Sequence, residues 1–148
     1  MKKLWLKIIA CACVLMVAVA CADNVTLLDR VQGIVTDGDD LIVMTEEDLS
    51  DLMGIEEEEY SDFAYLASMD ALTGREFIVL RAVDEDAAEA LAEKLQSYYE
   101  DRLHEMENYL PETYKLIKAC SVQQEGLLVI LDIGEQAQSE VEQLLAEE

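Results

Sequence analysis

Three of the four cysteines in this 148-residue chain, Cys11, Cys13 and Cys21, fall in the stretch ACACVLMVAVACADN. One spacing there carries chemistry. Ala18-Val19-Ala20 places small side chains directly before Cys21. That is the grammar by which a dedicated peptidase cuts in front of a cysteine whose sulfur has accepted a diacylglycerol. The thiol is needed as the acyl carrier, and the small residues let the backbone enter the peptidase. Alanine at position 18 stands where leucine is the commoner choice. Two or three acyl chains on one cysteine hold a protein durably to a bilayer, whereas a single chain is marginal.

The flanks agree with this reading. Lys2, Lys3 and Lys7 form a positive start, and residues 8–22 are uncharged until Asp23. Fifteen residues is short for a bilayer span, which needs roughly 20, but suits a secretory signal peptide. We therefore expect a cleaved lipoprotein signal peptide over 1–20, a lipid-anchored polar tether over 21–40 and a single domain over 41–148. The domain would sit on the extracytoplasmic face of the cell membrane. Cys11 and Cys13 would leave with the signal peptide, Cys21 would carry the lipid, and Cys120 would remain as the one free thiol. No intramolecular disulfide could then form, and Cys120 reads as a buried, inert side chain in a strand.

Charge excludes further classes. Lys and Arg number 10 against 33 Asp and Glu, a formal −23. Loss of residues 1–20 removes three lysines and no acid, which lowers it to −26. Nucleic acid and anionic lipid heads both call for basic patches, so neither is an expected partner. The surplus acid reads as a source of solubility and of repulsion from an anionic wall or membrane. A cationic partner, a basic peptide or protein or a divalent metal, is what it would attract.

Other motifs weaken on inspection. Asp37-Gly38-Asp39-Asp40 alternates carboxylates as a calcium loop does, but Ile42 stands where such a loop requires glycine. It reads as a solvated turn. The run Glu56-Glu57-Glu58-Glu59 reads as a solvated face, because consecutive side chains do not converge on one ion. Leu110-Pro111-Glu112-Thr113-Tyr114 resembles a sortase signal that would end in glycine; Pro111 instead suits the first turn of a helix. The single His104, four residues after Glu100, fits an exposed helix pair. No nucleophile elbow, zinc-binding helix or phosphate loop occurs. No catalytic residue, metal or cofactor is therefore expected, and the chain does not read as an enzyme. Arg75, Arg81 and Arg102 are read as ion-pair partners of neighbouring acids.

The elements that must position these residues follow from periodicity. A short helix could form near 25–32, with an edge strand at Leu41–Met44. Thr45 caps a helix ended by Gly54. Alternation from Tyr60 to Met69 and the run Glu76–Arg81 predict a hairpin. Asp84 opens a helix of about 24 residues, ~36 Å long. Pro111 starts a shorter helix, ending near Lys118. Residues 119–123 and 127–133 flank a turn at Gln124-Glu125-Gly126, and Val141, Leu144 and Leu145 line a closing helix. Paired strands between helices predict an α+β fold, an antiparallel sheet of two hairpins packed on helices as a two-layer sandwich.

Several of these stretches carry a resemblance. Leu52-Met53-Gly54-Ile55 with the acids and aromatic strand that follow, and Glu76-Phe77-Ile78-Val79-Leu80 leading to Asp84–Asp86, are two of them. Tyr109-Leu110-Pro111-Glu112-Thr113-Tyr114 and Val122–Val129 are the others. From about Leu49 to Leu145 the chain resembles the family of Gram-positive lipoproteins called domain of unknown function 4358. The turn Leu72-Thr73-Gly74-Arg75 departs from it, being less acidic than in relatives. The resemblance implies no catalytic residues. The expectation is a membrane-anchored lipoprotein acting as a non-enzymatic binding or envelope-associated module. Contrasting possibilities are a structural spacer or subunit of an envelope complex, and a hydrolase built from dispersed carboxylates.

Overall fold

The computed structural model describes residues 25–35, 40–70 and 72–148. In chain order its elements are α1 (Leu27–Ile34), β1 (Leu41–Val43), α2 (Glu46–Met53), a 3₁₀ turn (Glu57–Glu59), β2 (Tyr60–Ser68) and β3 (Glu76–Ala82). These are followed by α3 (Glu85–Glu107), α4 (Pro111–Lys118), β4 (Val122–Glu125), β5 (Leu128–Ile133) and α5 (Ala137–Ala146). The fold is α+β, and its five strands form one antiparallel sheet in the order β1-β2-β3-β5-β4.

Local chemistry sets the element ends. Thr26 and Thr45 each close a capping box, their hydroxyls accepting from the amides of Asp29 and Asp48 while those carboxylates accept from the threonine amides. Gly54 ends α2 in the left-handed region at φ 63°, where a side chain would be strained. Asp84 Oδ1 accepts from Ala87 N at 2.8 Å to open α3, which runs 23 residues. Pro111 occupies the first turn of α4, as expected.

Two cores flank the sheet. On one face Leu49, Ile55, Tyr65, Ile78, Leu80, Leu91, Leu95 and Ile117 pack beneath α2, α3 and α4. On the other, Leu66, Phe77, Val79 and Ile130 meet Leu27, Val31 and Ile34 of α1 and Val141 and Leu144 of α5. The two-layer expectation is thus corrected to three layers, with helices on both sides. The reason is α1, whose Leu27, Val31 and Ile34 recur at positions i, i+4 and i+7 and are buried. Leu27, Val31 and Ile34 lie in the core, so that part of the expected tether over 21–40 packs against the sheet.

One strand is displaced. β4 begins at Val122 rather than Ala119, because Ala119 and Cys120 still belong to the end of α4: their amides donate to Lys115 O and Ile117 O. The β4–β5 loop is the two-residue turn Gly126-Leu127, with φ 57° at the glycine.

If α1 is a core helix, Leu27→Ala should cost about 2–5 kcal/mol in urea denaturation, the usual range for a fully buried leucine. A residue in a solvated tether would leave the midpoint unchanged.

Candidate functional site

The buried charges gather at one end of β3 and β5. Arg75, just before β3, sends Nη1 to Asp132 Oδ1 and to the Ile133 carbonyl at 3.0 Å, and Nη2 to Glu140 Oε2 at 2.6 Å. Asp132 on β5 and Glu140 on α5 are almost wholly buried. One guanidinium therefore ties the sheet to α5. Room for it exists only because residue 134 is glycine: a Cβ there would stand 2.6 Å from Arg75 Nη1.

Two acids against one base leave a charge over, and Asp132 Oδ2 and Glu140 Oε1 are buried with no hydrogen-bond partner among the described residues. Burial, only partly opposed by Arg75, pushes the Asp132 carboxyl up to about 7, with Glu140 adding to the rise.

A second node lies on the opposite face of the same strand end. Glu76 accepts from Arg102 Nε at 3.0 Å and from Tyr98 Oη at 2.6 Å, and Tyr98 Oη lies 3.4 Å from Tyr65 Oη. Burial raises the Glu76 carboxyl above its ordinary value, while Tyr98 and Arg102 pull it back. Both tyrosine hydroxyls are held protonated by burial and by the Glu76 charge.

These nodes offer limited chemistry. Asp132 borders a narrow cleft of about 160 Å³ beside Cys120 and Gln138, whereas Glu76 and Glu140 are turned onto their arginines. Cys120 is half-buried outside the strands; its thiol donates to Leu116 O at 3.3 Å, and burial pushes its pKa up. His104 is 85% exposed and lies 3.9 Å from Glu107 rather than against Glu100.

A groove of about 390 Å³ runs along the outer edge of β2. One wall carries Leu28 and Val43, on the α1 side. The other carries Glu46 and Glu57, at the start of α2 and in the 3₁₀ turn, with Phe63 on the same side. Asp62 also lines it, but its Oδ2 accepts from Leu27 N at 2.9 Å and so caps α1. Among the described residues no Lys or Arg lines the groove. Tyr60, stacked edge-on against Phe63 with centroids 5.4 Å apart, has its pKa raised by burial and then by the fields of Glu46, Glu57, Glu56 and Glu58.

Of the residues singled out in the sequence, Ala18, Val19, Ala20 and Cys21 lie outside the described residues, as does most of the Asp37–Asp40 turn. In the glutamate run, Glu59 pairs with Lys94 Nζ at 2.6 Å. No group of acids, histidines or cysteines among the described residues is arranged to hold a metal. Arg75, Arg81 and Arg102 all pair with acids, at Asp132 and Glu140, Glu148, and Glu76 and Glu105. Among the described residues no helix is long and apolar enough to cross a membrane.

Removing Arg75 should expose the cost of the node. Arg75→Met leaves two buried acids without their cation and should lose about 3–5 kcal/mol of stability, which adding Asp132→Leu and Glu140→Leu should largely restore. The pH dependence has a defined sign. Asp132 holds its proton up to about 7 when folded and to 3.8 as an ordinary carboxyl. Its contribution is full below pH ~4 and is lost as pH rises through about 7. Asp132→Asn should flatten that fall in urea midpoints measured from pH 4 to 8.

Comparison with known proteins gives a single line of kinship. Neither curated proteins nor solved structures yield a match. The family model described as Domain of unknown function (DUF4358) matches residues 36–134. That span starts earlier than the sequence resemblance and stops before α5, yet it contains the whole sheet and α2 to α4. Because the match takes in more than half of the chain, the protein belongs to the DUF4358 family.

Proposed function

We propose that this chain is an extracytoplasmic lipoprotein, anchored through a lipid on Cys21, whose domain is a non-enzymatic binding module for a cationic peptide or protein. The observation that carries the binding reading is the β2 groove, where Glu46 and Glu57 are exposed and no basic side chain among the described residues offsets them. An acidic slot of this kind raises the local concentration of a cation and suppresses acidic competitors. The anchor rests on Ala18-Val19-Ala20-Cys21 behind a short apolar run with a lysine-rich start.

Cys21→Ser should abolish incorporation of labelled fatty acid and release the protein into the medium or leave it unprocessed; undiminished labelling would refute the anchor. Recovery of the anchored protein from its own cells should bring down a basic partner, with yield falling steeply between 50 and 500 mM salt as screening shortens to a few ångströms. Reproducible recovery of nothing would sink the binding reading.

A further inference from the structure

We infer that the groove is a strand-addition site: it takes an extended segment of a partner protein, with basic and apolar residues in alternation, as a sixth strand on β2. This deepens the binding reading above and rests on it.

The main chain carries the argument. β1 pairs with β2 only through Leu41↔Ser68, Ile42↔Ala67 and Val43↔Leu66, and Met44 N then donates to Tyr65 O at 2.8 Å. There the chain leaves the sheet, as Thr45 caps α2. β2 continues past that point to Tyr60 while paired on its other side with β3. Backbone groups in an antiparallel strand alternate in direction. Since the Tyr65 carbonyl points to the outer edge, the N–H and C=O of Phe63 point there too. They face a place in the sheet that no strand among the described residues fills.

Side chains define what fits. Residues opposite one another share a face, so Val43 lies with Leu66 and Asp62 toward α1, and Phe63 lies with Tyr65 toward α2. An incoming strand would send alternate side chains to the two walls. One wall is apolar, with Leu28 and with Val43, which is 47% exposed. The opposite wall presents the carboxylates of Glu46 and Glu57. The matching segment has apolar residues on one face and lysine or arginine on the other. A second copy of this chain is the poorer occupant, since each copy carries a formal −23. Such recognition takes affinity from the backbone and specificity from alternate side chains.

The test uses the full chain and a fluorescent eight-residue peptide alternating Lys and Val, read by anisotropy and by amide hydrogen exchange. The peptide should bind and the Glu/Val counterpart should not. The double variant Glu46→Gln/Glu57→Gln, both positions being exposed, should weaken binding about tenfold, as two surface pairs would. N-methylation of alternate peptide amides, in whichever of the two phases faces β2, should abolish it. Exchange at the Phe63 amide should slow on binding. If both N-methylated forms bind as well as the parent, strand addition is overturned while attraction to cations stands. If no basic peptide binds, both readings fall. Phe63 protected without peptide would give the edge to a second copy when protection grows with concentration, and to the chain's own leading residues when it does not. Either result overturns the partner assignment.

Discussion

Burial of β3 on both of its faces is the constraint on which the rest of this fold depends. Phe77 and Val79 serve one core, Ile78 and Leu80 the other, and all four are inaccessible to solvent. A strand of that kind cannot be the floor of a two-layer sandwich; it demands a helical layer above and below. α1 and α5 answer on one side, and α2, α3 and α4 on the other. The ionic nodes follow from the same demand. Where β3 begins, Glu76 is buried and Arg75 is largely so, and each finds a countercharge on a flanking helix.

Much of this was legible in the residues, and the point of failure is informative. Element order and type follow from caps and periods, and Thr45, Asp84, Pro111 and Gly126 act where the sequence places them. The layer count does not follow from the alternation of β2. Yet Phe77-Ile78-Val79-Leu80 and Leu127–Leu131 are continuous apolar runs, the pattern of strands covered on both faces. Read with Leu27, Val31 and Ile34, they would have removed α1 from the tether. The polar residues between them, Asp29, Arg30 and Gln32, mask that signal.

The candidate sites were less legible, for a topological reason. Arg75 meets Asp132 and Glu140 across separations of 57 and 65 residues, and no spacing rule reaches so far in a chain with 33 acids. That the arginines would pair was predictable from their scarcity; which acids they would choose was not. The groove is harder still to foresee. It exists because β1 stops at Val43 while β2 runs on, and a mismatch in strand length leaves no motif.

Gly134 shows how backbone and charge can be exchanged in such a structure. It shows no left-handed φ, so any residue could adopt its backbone conformation, yet a methyl group there would collide with a guanidinium held by two carboxylates and a carbonyl. On an exposed side chain the collision would be relieved by a rotamer change. Here the arginine has nowhere to go that keeps its partners. The smallest uncharged substitution at this position is thus an electrostatic lesion, one that unbalances the core while leaving the net charge of the chain untouched.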